Sequence, residues 1–418
     1  MISDPAVPQQ NFVSRSTQHA VRLYRAHIDF ILLLILFVTF RVLALAAFRP
    51  GGLVLDFSDF YWYRSFAELT RQGYYPYDNL WTTYPPLFPV VMIAIYQLST
   101  LLPPWEFPNL WFTLLLGGFF LLFEIGNFIL LYLLALEIGE PASRRASESA
   151  SQRISEQTNT DPIHNALRSA WIYAALFVPV YTVTGWFESY PLFFFLLSLY
   201  LLLKNRPYLS AFFTGVGFMI KLIPLILMPV AVQFFSRTRY AISVGGEKKR
   251  GDIPQAPRPA ALGPFTFTKL APNSPPATRR PQFAIPFDIS RTVIYVAIFV
   301  ITVVVIALPF YRMNPHLILG SQQITGARQP WETVWALIDG NYDYGVIPLD
   351  MRNLDWTPGQ APPTRVPWLL VTGLVALLYG WFYTRPLNWQ RVKTSLAFVG
   401  FTLCLFMLWS KGYSPQWL

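Results

Sequence analysis

The stretch Leu55–Pro89, LDFSDFYWYRSFAELTRQGYYPYDNLWTTYPPLFP, decides how this chain is read. It places Asp56, Asp59, Arg64, Glu68 and Arg71 between two apolar runs of bilayer-crossing length. From Phe60 to Gln72 the polar residues Arg64, Glu68, Arg71 and Gln72 recur at i, i+4, i+7 and i+8. Phe60, Tyr63, Phe66, Ala67 and Thr70 fall on the other face. The spacing predicts a short helix lying in the membrane interface, its apolar face toward lipid. Gly73 stops that helix, an aromatic, proline-stiffened loop follows, and Pro85-Pro86 opens the next apolar run.

Asp59 stands at the head of this helix. It, or Ser58, suits an N-cap, satisfying free backbone amides. It also suits a general base, a carboxylate able to take a proton from an acceptor hydroxyl at the lip of a membrane cavity. Asp56 is the alternative base. The two carboxylates could share a divalent cation only with further oxygen ligands, so metal is the weaker reading and no cofactor is expected.

The surrounding chain is that of a polytopic membrane protein. Hydrophobic residues make up 54% and charged residues only 13%, against about 25% charged in soluble domains. Nine apolar spans are expected, at 29–48, 86–103, 109–137, 167–184, 187–203, 208–235, 291–310, 366–383 and 393–410. Nine Lys/Arg fall in the Pro-rich segment 236–290 and three before the first span. This is the positive-inside pattern and implies no nucleic-acid partner. Segment 1–28 is then a cytoplasmic N-terminus and 29–235 a first transmembrane module. Segment 236–290 is a cytoplasmic linker, and 291–418 a second membrane part, open to truncation at 418. Segments 49–85 and 311–365 are the two long external loops. Parity puts 139–166 outside despite Arg144, Arg145 and Arg153, and Glu188 inside, away from Asp59. The single cysteine, Cys404, lies in an apolar run and excludes an intrachain disulfide.

Three motifs carry a family resemblance. The first is Asp59, Gly73, Pro76-Tyr77 and Tyr84-Pro85-Pro86-Leu87; the second is Gly185, Glu188, Lys221 and Pro224; the third is Ser414-Pro415-Gln416-Trp417. In this order they resemble the GT-C superfamily of membrane glycosyltransferases. The likeness is greatest to glycosyltransferase family 87 and the mannosyltransferases of GPI-anchor synthesis. The resemblance implies an all-α, GT-C-like fold of about nine transmembrane helices with interfacial helices in two external loops. It implies an inverting transfer of a hexose, mannose first, from a polyprenyl-phosphate donor to a glycolipid or lipid-linked glycan, with Asp59 as base.

Other polar residues join the candidate site. Lys221, within an apolar span, reads as counter-charge to a lipid phosphate or as a snorkelling cation. Arg41 shares that ambiguity. Lys411, at a span end, suits the same phosphate or an anchoring role. Tyr77, Tyr84, Glu188, Ser414 and Gln416 complete the expected substrate-binding set. The aromatic and acidic segment 311–365 suits sugar binding or a plain interfacial loop. The histidines show no metal-ligand spacing, and no Gly-rich phosphate loop occurs. The alternatives to an enzyme are a transporter or flippase of lipid-linked sugars and a non-catalytic membrane subunit. The absence of a two-fold repeat disfavours transport. The expected location is the inner (plasma) membrane, multi-pass, with the N-terminus cytoplasmic.

Overall fold

The computed structural model describes residues 25–49, 59–82, 84–107, 109–148, 162–176, 185–236, 289–318, 333–340, 365–385 and 392–411, with Pro330, Leu387 and Trp389. Linker residues 237–288 and most of 311–365 lie outside this set. The described residues form helices, and the only strand-like pairing among them is an isolated bridge between Pro76 and Leu80. Among the described residues four helices are long and apolar enough to cross a membrane: α1 (Ile28–Ala47), the Leu110–Ile138 part of the helix Leu110–Glu148, Ile289–Met313 and Val392–Trp409. The protein is a helical membrane protein.

α1 is followed by α2 (Asp59–Glu68), α3 (Leu87–Thr100), α4 (Leu110–Glu148), α5 (Pro162–Ala175) and α6 (Ser189–Leu203). α1 and α4 run antiparallel. Phe30 stacks on Tyr132 at 3.8 Å, Phe37 on Phe128 at 4.2 Å, and Arg41 meets Glu124. α5 packs against both, with Ala166 and Ala170 fully buried in the Phe30–Phe128–Tyr132 cluster. α6 runs parallel to α4: Asn127 meets Ser189 at one end and Glu137 pairs with Lys204 at the other. Gly126 permits that approach, since a Cβ there would stand 2.5 Å from the Phe193 ring.

Two expected spans take other forms. The run 86–103 is not laid alongside α1. Phe88 faces Phe120 and Tyr96 faces Phe112, so α3 forms an antiparallel hairpin with the first turns of α4. The apolar part of α4, 29 residues, reaches about 44 Å, longer than a bilayer core of about 30 Å. The surplus turns of α4 and the short α3 cover each other.

The run 208–235 is broken in two. α7 (Pro207–Phe218) gives way to a turn and a 3-10 segment, Ile223–Ile226, before α8 (Leu227–Ser236). Pro224 has no N–H and cannot continue an α-helix across the turn. Gly217 fits under it, because a Cβ there would meet Pro224 and Phe194 at 2.9 Å. α8 doubles back along α7: Ser210 and Phe235 both reach Tyr295 of α9 (Ile289–Met313). The Met219 carbonyl left free at the break accepts the N–H of Leu87 at 3.1 Å, itself a free donor in the first turn of α3. Two interrupted helix ends thereby satisfy each other.

α2 forms where the periodicity places it, with a 3-10 extension Leu69–Gln72 and Gly73 left-handed at φ 86°. Its apolar face is turned to protein rather than lipid. Phe60 lies 5.9 Å from Phe120, Tyr63 lies 5.0 Å from Phe88, and Ala67 is fully buried. The polar face carries the expected i,i+4 pair, Arg64–Glu68 at 3.1 Å. The loop beyond it touches α9: Tyr77 packs on Phe310, and Asn314 Nδ2 donates to the Asp78 carbonyl at 3.1 Å. Last come α10 (Val334–Asp339), α11 (Trp368–Tyr383) and α12 (Val392–Trp409). Trp409 Nε1 donates to Thr372 Oγ1, returning the end of α12 to the start of α11.

Candidate functional site

The broken helix and the loop helix meet at one polar cluster. Asp59 is the first residue of α2 and accepts the Tyr63 hydroxyl at 3.2 Å, one turn on. Glu188 immediately precedes α6, whose start is brought to α4 by Asn127 Nδ2 donating to the Ser189 carbonyl at 2.9 Å. Lys221 lies in the turn between α7 and the 3-10 segment, its N–H held by the Gly217 carbonyl. Its ammonium donates to Glu188 Oε1 at 2.7 Å and sits 4.9 Å over the Phe187 ring. Phe187 stacks on Phe88 at 3.9 Å, with Tyr84 and Tyr63 edge-on to it at 5.0 and 6.1 Å. The ion pair therefore rests on a floor of aromatic rings contributed by four separate segments.

The electrostatics follow from burial. Desolvation pushes the Asp59 carboxyl above the usual carboxylate range. The Tyr63 hydrogen bond and the Lys221 charge pull the other way, while Glu188 adds to the rise. These couplings place Asp59, Glu188 and Lys221 within one field, which corrects the expectation that Glu188 lies on the opposite side. The cause is the path of the chain: α2 and α3 pack on the Phe120 end of α4, the same end to which Asn127 brings the start of α6. Glu188 Oε2 is buried with no hydrogen-bond partner among the described residues. The cluster thus offers one carboxylate oxygen without a partner among the described residues and one carboxyl of raised proton affinity beside a paired ammonium. Such a set accepts and donates hydrogen bonds to hydroxyl or amine groups.

Other expected site residues lie elsewhere. Tyr77 is buried, and its hydroxyl donates to the Tyr84 carbonyl, which fixes the loop from a left-handed backbone at φ 65°. Tyr84 contributes its ring to the floor. Lys411 belongs to a second group: its ammonium lies 5.1 Å over Trp368, and its carbonyl accepts from Thr333 Oγ1. Burial holds the Lys411 ammonium below the usual lysine range, with Asp339 opposing that shift. Asp56, Ser414 and Gln416 fall outside the described residues. No group of three or more potential metal-ligating residues occurs among the described residues.

Glu124 was not singled out by the sequence reading. It lies fully buried 3.6 Å from Arg41 Nε and accepts the Tyr173 hydroxyl at 3.0 Å. The signal was a lone acid within the apolar run LLFEIGNF, facing a lone base in the first span. Arg41 is accordingly neither snorkelling nor part of the Lys221 cluster.

A family model described as PIG-U, GPI transamidase subunit PIG-U, matches residues 28–314 of this chain. No curated protein matches it. The family finding overturns the expected activity. The model spans both the loop helix and the broken helix and describes a transamidase subunit, so the chain is not assigned as a polyprenyl-phosphate-sugar glycosyltransferase. The match supports a membrane protein but neither the family 87 assignment, nor the expected sugar donor and acceptor, nor a plasma-membrane location.

Proposed function

Because the chain belongs to the PIG-U family, we propose that it is a non-catalytic membrane subunit of a GPI-transamidase-type complex, presenting the glycolipid headgroup through the Asp59–Glu188–Lys221 cluster. One observation carries this reading beyond the family match: the buried, unpartnered Glu188 Oε2 beside a paired Lys221. Hydroxyls and amines of a glycan donate to such an oxygen, and the aromatic floor suits the C–H face of a sugar.

The same reading keeps a GT-C-like scaffold of nine crossings, made by α1, α4, α5, α6, α7, α8, α9, α11 and α12. Loops 139–166 and 237–288 then lie with the N-terminus on the cytoplasmic side. The Asp59 cluster and Lys411 lie on the other side. The positive-inside rule supports this, because Arg144, Arg145 and Arg153 join the basic linker.

The test is co-purification of the tagged chain in a mild detergent, followed by photocrosslinking with a GPI-precursor probe. A stable complex that contains a transamidase chain and crosslinks at α2 or α6, with crosslinking lost in Glu188→Gln, supports the proposal. A chain that runs alone, or crosslinks equally in that variant, overturns it.

A further inference from the structure

A cavity of about 290 Å³ lies beside α1 and α5, away from the Asp59 cluster. Leu33, Leu36, Phe37 and Phe40 form one wall, and Trp171 and Leu176 stand on the other. Leu36, Phe40, Trp171 and Leu176 are each about half exposed, so the cavity opens sideways, where the lipid would be. Arg41 lines it while fully buried, and none of its three guanidinium nitrogens has a hydrogen-bond partner among the described residues. Its guanidinium lies 3.4 Å over the Phe37 ring, and its one ionic contact among those residues is Nε to Glu124 at 3.6 Å, with Glu124 also held by Tyr173. That leaves the terminal nitrogens Nη1 and Nη2, a fork of donors, without acceptors among the described residues.

We infer that this groove is a binding site for one bilayer phospholipid, with the phosphodiester oxygens on the Arg41 fork and an acyl chain along Leu33, Leu36 and Phe40. Charge and shape agree on this occupant. An arginine fork matches two phosphate oxygens bidentately, whereas an apolar partner helix leaves the donors unmet in a medium without water. Depth agrees too. Glu124 lies one turn from Phe120, and Phe120 touches Phe60 of the loop helix. Arg41 therefore sits near the level to which a polar external segment descends, and the half-exposed Trp171 is a residue type found at headgroup depth. From Arg41 the wall residues Phe40, Phe37, Leu36 and Leu33 lead progressively along α1 away from that level, the order an acyl chain needs.

Native mass spectrometry of the full chain, released from vesicles into detergent, tests the site. Vesicles contain phosphatidylglycerol or, in a parallel arm, diacylglycerol with the same acyl chains. The expected result is one phosphatidylglycerol retained per chain and no diacylglycerol. Retention falls about tenfold or more in Arg41→Gln, as loss of a charge-assisted contact implies. Ala175→Phe fills the open side of the groove and leaves Arg41 and Glu124 in place. It loses the lipid while keeping the parent unfolding temperature in lipid-free detergent. Equal retention of diacylglycerol, retention by Ala175→Phe at the parent level, or displacement by millimolar inorganic phosphate overturns the assignment. The last outcome would make this a simple anion site.

Discussion

Asp59 tests how a carboxyl behaves when buried beside another acid. Its proton affinity is raised in the folded protein. Below the ordinary Asp value, about pH 4, both folded and unfolded forms carry the proton. As pH rises past that value the unfolded chain releases it first, so the folded state loses stability until the raised value is passed. The unfolding temperature of the parent in detergent should therefore fall between pH 4 and 8 by more than that of Asp59→Asn, which cannot ionise. Parallel profiles would remove the desolvation account. Lys221 tests the pair. Lys221→Met leaves Glu188 buried without its cation, and breaking a buried pair costs about 3–5 kcal/mol. The low end is expected here, because the two side chains keep 18% and 13% exposure. Adding Glu188→Gln should restore part of that loss, read as non-additivity in a double-mutant cycle by thermal unfolding.

At the scale of elements, the break between α7 and α8 is decided by two residues. A methyl group at Gly217 would meet the Pro224 ring and the Phe194 Cβ at 2.9 Å, neither of them a yielding side-chain tip. Gly217→Ala should lower stability by about 1–3 kcal/mol, as overpacking does. It should also displace Lys221, seen as weaker crosslinking of the proposed headgroup probe. Unchanged unfolding and crosslinking would show that the bend tolerates a side chain. This element also shows where sequence reading stops. The loop helix was legible because its polar residues repeat at helical spacing. The fold back after Phe218 was not, because 208–235 is apolar apart from Lys221 and a few neutral polar residues, and a buried hairpin and a single long span have the same hydropathy. Lys221 and Pro224 marked the place, yet read as a charge within a span rather than at a break. Glu124 and Arg41 were individually visible, but their pairing depends on the relative direction of α1 and α4, which no periodicity contains.

For the whole molecule, two departures cancel. One expected crossing, 86–103, is a hairpin arm, and another, 208–235, is a pair of antiparallel helices. In the proposed topology the basic linker therefore stays on the side first assigned to it, while everything from α4 to α7 is inverted. In a Cys404→Ser background, cysteines placed at Arg145 and at Lys248 should label from the same face of sealed vesicles. One at Tyr75 should label from the opposite face. Labelling of Arg145 and Tyr75 from one side would restore the earlier parity and separate Glu188 from Asp59.

The bond from Leu87 N–H to the Met219 carbonyl also sets a timetable. Its partners lie 132 residues apart, from 219 − 87. At about 5–20 residues per second of synthesis, the amide of Leu87 waits roughly 7–26 s for its acceptor. During that interval the ring floor lacks Phe187, and Asp59 has no Lys221 nearby. The loop helix is thus made early and seated late, so newly made chains halted before Met219 should expose segment 59–86 to protease, and chains extended past α8 should protect it.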